Sequence, residues 1–142
     1  ATIEPVFLNP ALPFAGYGLF GKIAGGQFVP FGAGDVAGAE YGLFVRPYPT
    51  TGGAASDPLG TATPFTKGVA DVLRRGYMTV KLNAGTAAKD GSVYVRVAAP
   101  ATGKPIGGFE AAADGANTVA ITTASFRGAA DATGVVEIAY NI

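Results

Sequence analysis

Glycine and proline interrupt this sequence so often that no segment is long enough for a helix of three turns. The 142 residues include 22 Gly and 10 Pro, and both residue types favour turns over the interiors of helices and strands. Between the turns, apolar and polar side chains alternate, as in strands with one face toward a core. About eight to ten such runs predict an all-β chain, a single-domain antiparallel sandwich or barrel.

The clearest alternation lies in residues 77–82 and residues 93–97. The pair Asp90-Gly91 supplies a turn between the two runs. We therefore predict that they form an antiparallel hairpin, to which the other strands are added.

Other short runs have the same character and are bounded by Gly, Pro or Asp. Residues 68–75 fit a strand or a helical turn, and we favour a strand in which Gly76 forms a bulge. The remaining predicted strands are residues 17–23, 27–31, 40–48, 107–112, 118–122, 125–127 and 134–142.

The first 15 residues carry three prolines and no clear period, which predicts an extended arm in front of a β-sandwich domain of residues 16–142. A disordered tail is normally poor in large apolar residues, and this arm contains Val6, Phe7, Leu8, Leu12 and Phe14. The arm is therefore expected to lie on an apolar surface, either of its own domain or of a neighbour. A long loop of polar and small residues, 50–64, is a second candidate for a partner contact.

The charge balance argues against nucleic acid as a partner. Lys plus Arg and Asp plus Glu both number 10, so the formal charge is zero, and there is no basic excess to bind phosphates. Charged residues make up 14% of the chain, against about 25% in ordinary soluble domains. So few charges indicate a surface that is partly covered by something else.

The chain lacks the residues that most enzymes use. Without Cys or His, it has no disulfide, no thiol nucleophile, no Ser-His-Asp triad and no common zinc ligand. We therefore expect no catalytic residues, no cofactor and no metal site. The apolar runs are far shorter than the ~20 residues that cross a bilayer, so we expect no membrane partner.

One glycine spacing resembles a cofactor motif. Residues 16–21 read Gly-Tyr-Gly-Leu-Phe-Gly, which matches the dinucleotide fingerprint G-x-G-x-x-G. That motif needs a strand before it and a helix after it, whereas Pro13 precedes it and two glycines follow. We interpret the segment as a glycine-rich strand with Tyr17, Leu19 and Ile23 toward the core.

The acidic residues permit two interpretations. Glu40, Glu110 and Glu137 lie on predicted strands and could pair with arginines across a sheet, with Arg46, Arg96 and Arg127 as candidates. Alternatively, two of the acids could form a catalytic pair, as in glycoside hydrolases. Most of the other acids lie in turns, where an Asp side chain ordinarily binds local backbone N–H groups.

The aromatic residues also have two interpretations. Most of the Phe and Tyr residues occupy alternating strand positions, which favours packing in the core. A carbohydrate-binding or adhesive module would instead expose a row of tyrosines, with Tyr17, Tyr41, Tyr48 and Tyr94 as candidates.

Four segments together resemble the structural cement, or capsid decoration, proteins of tailed bacteriophages. They are residues 72–80 (VLRRGYMTV), 91–97 (GSVYVRV), 106–119 (IGGFEAAADGANTV) and 134–142 (GVVEIAYNI). The resemblance covers residues 68–142 and, less closely, the proline-rich start.

The resemblance implies a jelly-roll-like domain without enzymatic activity, made in the bacterial host cytoplasm and located on the capsid exterior. Such a protein binds the outside of the assembled head as an oligomer, here a homodimer or homotrimer, and stabilises contacts between major capsid protein subunits. We predict that its contacts come from the apolar arm residues, the loop at 50–64 and the Arg74-Arg75 doublet. The doublet has two further interpretations, an ion pair with Asp71 and a solvated strand end.

Overall fold

The computed structural model describes residues 1–47 and 63–142 and is built from β-strands. Within those residues, the only helix is a 3₁₀ turn, Gly115–Asn117. The nine strands are β1 Thr2–Phe7, β2 Phe20–Ala24, β3 Gln27–Pro30, β4 Gly42–Phe44, β5 Val69–Lys81, β6 Ser92–Arg96, β7 Phe109–Glu110, β8 Thr118–Phe126 and β9 Val135–Tyr140.

The strands form one curled antiparallel sheet. Its order is β3-β2-β4-β5-β9-β8-β6-β7, and β1 pairs with β5 beside this path. The strands at the two ends of this order are each bridged to another part of the chain. Phe28 of β3 pairs with Leu8, which follows β1, and Phe109 of β7 pairs with Leu82, which follows β5. The all-β antiparallel architecture is thus confirmed, whereas the more specific jelly-roll-like topology stays a prediction.

The predicted hairpin of residues 77–82 with residues 93–97 is wrong. β9 and β8 lie between β5 and β6 in the sheet. The intervening loop does not close a tight turn, because Ala84 accepts a hydrogen bond from Ala111 N (2.8 Å) and Asp90 N donates to Phe126 O (2.8 Å). Local alternation identified two strands correctly, but their partners come from distant parts of the chain.

Strand β5 joins the two halves of the sheet. Its first half pairs with β1 and β4, and residues 76–81 pair with β9. The register against β1 passes from Leu73 directly to Arg75, so Arg74 is an extra, bulged residue. Gly76 follows with a φ of 140°, a conformation that glycine adopts without steric cost. The predicted strand is confirmed, but the bulge is at Arg74 rather than at Gly76, which pairs with Tyr140 of β9.

The bulge changes which face of β5 is buried in the larger of two apolar clusters. Leu73 precedes the bulge and Val80 follows it, and both are buried in this main core. In a regular strand two residues an odd number of positions apart would point to opposite faces. The main core also contains Phe20, Leu43, Val95, Phe109, Phe126, Ile138 and Tyr140.

A second apolar cluster lies on the other face of β2, β4 and the first half of β5. Leu43 faces the main core and the next residue, Phe44, faces the second cluster. The members of the second cluster are Leu8, Phe14, Leu19, Phe28, Phe44, Ala70 and Val72. The segment after β1 therefore helps to close the chain's own interior.

The remaining sequence predictions have mixed outcomes. The runs at 118–122 and 125–127 are one continuous strand, β8. The glycine-rich residues 16–21 lead into β2, with Leu19 buried and Tyr17 half-buried, but Ile23 is exposed rather than core-facing.

No helix within the described ranges has the length and hydropathy needed to cross a membrane. Residues 48–62, with Tyr48, Asp57 and most of the predicted contact loop, lie outside the described residues.

Candidate interaction surface

The two faces of β1 have different environments. Residues opposite each other in an antiparallel pair share a face, and Val6 lies opposite buried Ala70 while Phe7 lies opposite exposed Val69. Val6 is half-buried and packs against the second cluster. Phe7 is 66% exposed.

The segment that follows β1 contributes two of the predicted contact residues to the chain's own interior. Leu8 and Phe14 are buried, and the Phe14 ring stacks on Phe28 with 4.8 Å between centroids. Leu12, between them, is exposed. Of the arm's predicted contact residues, Phe7 and Leu12 are thus accessible, Val6 is partly so, and Leu8 and Phe14 face inward.

The exposed side chains of β1 and the start of β5 form a surface that we call the apolar strip: Ile3, Pro5, Phe7 and Val69. Ile3 and Val69 are each 46% exposed. Ile3 lies opposite Leu73, which is buried in the main core. The strip is therefore the continuation of a core-facing sheet surface beyond the point where other described residues cover it. Exposed apolar patches of this kind commonly mark interaction sites.

The backbone at the outer edge of β1 is unsuited to adding another strand. Leu8 N donates to Gly68 O (2.9 Å), and bonded pairs recur at every second residue of an antiparallel ladder. Glu4 and Val6 therefore direct their backbone groups toward β5, and Ile3, Pro5 and Phe7 direct theirs away from it. Pro5 has no N–H, which interrupts the outward row of donors in the way that edge strands resist pairing.

Arg74 holds β1 in place and is not a free cation. Its Nη1 donates to the carbonyl of Tyr41, its Cζ lies 3.6 Å from the centroid of the Tyr41 ring, and its Nε is 3.7 Å from Glu4 Oε2. The Tyr41 hydroxyl donates to the same carboxylate, and this hydrogen bond raises the pKa of Tyr41. The expected ion pair of the doublet therefore forms with Glu4 of β1 rather than with Asp71.

Arg75 is exposed and has no carboxylate within salt-bridge distance among the described residues. It lies opposite Thr2. Because the bulge at Arg74 precedes it, Arg75 lies on the other face of β5 from the apolar strip.

The most buried charges form a fully paired cluster. Arg96 and Glu110 are 2% and 1% exposed. Arg96 Nε donates to Glu110 Oε2 (2.7 Å), and Nη2 donates to Glu110 Oε1 (3.1 Å) and to Asp114 Oδ2 (2.8 Å). The hydrogen bond with Glu110, followed by that with Asp114, raises the pKa of Arg96. The cluster anchors β6 to β7 and to the following turn.

Of the glutamate–arginine pairs that the sequence left open, two form: Arg96 with Glu110, and Arg127 with Glu137 at 3.4 Å. Glu40 instead accepts hydrogen bonds from Gly38 N and Thr123 Oγ1. A surface groove of about 610 Å³ between residues 15–18 and β5 has Arg46 and Lys81 in its described lining, but no carboxylate.

The other candidate acids and tyrosines form local hydrogen bonds or are partly buried. Asp35 accepts hydrogen bonds from Lys22 Nζ and Gly32 N; although partial burial alone raises the pKa of Asp35, these bonds lower it overall. Tyr17, Tyr41 and Tyr94 are half-buried. No group of three or more Asp and Glu side chains that could hold a metal ion occurs in residues 1–47 and 63–142.

Comparison with known proteins decides the family. The family model of the XM1 gp53 minor capsid protein matches residues 1–140. This chain belongs to that family. No curated protein matches the chain. Membership of the XM1 gp53 minor capsid protein family makes the chain a phage capsid-associated protein with a virion location, and it suggests a structural rather than an enzymatic role.

For a member of this family, residues that the sequence prediction did not include are also of interest. Ile3, Pro5, Val69 and Asp71 share the face of Phe7, but this follows only from the pairing of β1 with β5. The period-two spacing of Ile3, Pro5 and Phe7 was the one available signal in the sequence.

Proposed function

We propose that this protein is a capsid cement, or decoration, protein that binds the outer surface of the assembled head and stabilises contacts between major capsid protein subunits. The proposal is supported by the family match and by the resemblance of residues 68–142 to cement proteins. The exposed apolar strip is the observation that carries the proposal. The fold is held together by its own apolar core and by paired internal charges, so an apolar surface exposed to water does not contribute to its stability.

The mechanism requires only mass action. A protein that binds the assembled shell and not the free subunits stabilises the assembled state by its binding free energy. At a concentration about 100 times the Kd, this amounts to ~2.7 kcal/mol for each site. Many modest contacts over one shell then sum to a large stabilisation.

The accessible residues of the predicted set define the contact surface that we propose. Phe7 and Leu12, with Val6 at the margin, contact the shell, and Arg75 offers a cation on the opposite face of β5. Leu8 and Phe14 act indirectly, since their burial fixes β1 against β5. Association into a homodimer or homotrimer is part of the proposal on the strength of the resemblance alone.

The test is sedimentation of the purified chain with intact shells that were assembled without it. We expect saturable binding to the closed shell exterior and a higher temperature of shell disruption in its presence. Absence of binding, or binding that leaves the disruption temperature unchanged, contradicts the cement role. Sedimentation velocity of the chain alone measures its oligomeric state.

A further inference from the structure

We propose that Asp71, in the middle of the apolar strip, selects a shell subunit that presents an apolar patch carrying one Lys or Arg. This inference rests on the proposed function and adds the chemistry of the partner. Asp71 lies directly opposite Pro5, and the pair on one side of it is Val69 with Phe7. Ile3 lies on the other side, so the acid is surrounded along both strands by the exposed apolar side chains.

The carboxylate of Asp71, like that of exposed Asp90, has no hydrogen bond or ion pair among the described residues, whereas Glu4, Asp35 and Glu137 are each paired with a cation. What distinguishes Asp71 is its position between exposed apolar side chains. The backbone at Asp71 is nevertheless fixed, because its carbonyl accepts a hydrogen bond from Val45 N (2.9 Å). Asp71 is therefore an accessible charge held in a defined place.

Covering the strip removes water from this carboxylate. An unpaired charge in a desolvated interface opposes binding, and a charge-assisted hydrogen bond from Lys or Arg compensates it. A wholly apolar partner would leave Asp71 uncompensated, and an acidic partner would repel it. The strip therefore requires a cation within an apolar surface.

The size of the strip favours a shell subunit over a second copy of this chain. A fully covered aromatic side chain contributes roughly 150–250 Å², so the strip, which has one aromatic residue, offers on the order of 300 Å². A stable dimer buries ~800 Å² on each partner. A contact this small is useful where it is repeated over a lattice, as on a capsid. Because Pro5 interrupts the edge, docking takes place on the face of the strands.

The experiment measures the Kd for shells assembled without the protein, using co-sedimentation at two salt concentrations. The variants are Asp71→Asn, Asp71→Lys and Phe7→Ser. We expect Asp71→Asn to weaken binding on the order of tenfold and Asp71→Lys still more. Wild-type affinity should fall with added salt, and that of Asp71→Asn should fall less. Thermal unfolding of each variant establishes that it is folded, and the isosteric Asp71→Asn keeps the test valid where Asp71→Lys does not fold.

Two control variants match these changes. Val36→Ser removes an apolar side chain as exposed as Phe7, at 66%, but in the loop after β3. Asp90→Lys reverses an exposed acid in the loop before β6. Both should bind within twofold of wild type.

Three outcomes overturn the inference. If the wild type binds and the Asp71 variants bind equally well, Asp71 does not select the partner; if Phe7→Ser also binds equally well, the strip is not the contact. In both cases the cement role still stands. If the controls weaken binding as much as the Asp71 variants, the effect is not specific to the strip. If Asp71→Lys abolishes self-association and leaves shell binding intact, the occupant is a second copy. Failure of the wild type to bind shells counts against the proposed function itself.

Discussion

The Arg96 cluster and the apolar strip differ in whether their charged groups have partners within the chain. All five N–H donors of Arg96 are used, by Glu110, by Asp114 and by the carbonyls of Ala98 and Ala99 at 3.2 Å. The Asp71 carboxylate, on the strip, accepts no hydrogen bond from any described residue. The first site is complete within the chain, and we propose that a partner completes the second.

This difference separates stability from binding. A buried charge is costly when it lacks a partner, so a substitution at Arg96 acts on folding. An exposed charge costs little until something covers it, so a substitution at Asp71 acts on association. Variants at buried and at exposed positions test whether stability depends on the paired interior and binding on the accessible surface.

Replacement of Arg96 by Ala should have the largest effect on folding. It leaves Glu110 buried without its cation, and breaking a buried pair in this way costs about 3–5 kcal/mol. Urea unfolding at neutral pH measures the loss. The matched control is Arg127→Ala, which breaks a pair whose side chains are 48% and 51% exposed and should cost about 0–1 kcal/mol. Equal losses in the two variants would contradict the division.

Phe14→Ala should lower the free energy of unfolding by about 3 kcal/mol, because it opens a cavity between Phe28 and Phe44. Phe7→Ala removes the same side chain from the exposed face and should change stability by less than ~0.5 kcal/mol. The comparison uses urea midpoints of the two variants. A large loss for Phe7→Ala would mean that the strip belongs to the core rather than to a binding surface.

The sequence predicted local structure better than long-range pairing. Alternation located the strands because it depends only on which side chains face a core. The hairpin prediction failed because a chain that alternates in several places offers many partners, and β9, from the far end of the sequence, pairs with the second half of β5. Arg96, Arg127 and their glutamates could be named as candidates for ion pairs because they lie in or next to strands, but which acid pairs with which arginine depends on the strand order.

The candidate surface was only partly predictable for the same reason. The apolar residues of the arm could be identified from the sequence, but the direction in which their side chains point depends on the register of β1 against β5. That register turns Val6 inward and Phe7 outward, and it brings Val69 and Asp71 from a distant segment to the same face. No local pattern in residues 1–15 indicates those two neighbours.

Gly76→Ala tests the link between the two halves of β5. The φ of 140° is unfavourable for any residue with a Cβ, and the added atom would lie 3.1 Å from Ala1 Cβ. We expect a loss of about 1–2 kcal/mol in unfolding free energy. Gly16→Ala is the matched control, since no atom of a described residue, apart from its chain neighbours, lies within 4 Å of its added Cβ, and it should cost less than ~0.5 kcal/mol. A tolerated Gly76→Ala would show that the bulge at Arg74 alone is sufficient for the change of face.

The smallest expected effect concerns the exposed edge of the Arg96 cluster and appears as a pH dependence. The hydrogen bond from Arg96, followed by that from Asn117, lowers the pKa of Asp114 from its ordinary value of 3.8. A lowered folded-state pKa stabilises the protein above the unfolded-state value, and that contribution is lost as the pH falls through the folded-state pKa. Wild type should therefore be more stable than Asp114→Asn at neutral pH, and the difference should shrink below about pH 4.

Urea midpoints of wild type and Asp114→Asn between pH 7 and pH 3 measure this convergence. Thr102→Ala, in the neighbouring exposed turn, changes no charge and should shift the midpoint equally at every pH. Because the Asp114 side chain is half exposed, at 51%, solvent screens its interaction and the effect should be much smaller than that of Arg96→Ala. A difference that stays constant down to pH 3 would mean that Asp114 contributes through its shape rather than its charge, and that Glu110 alone neutralises Arg96.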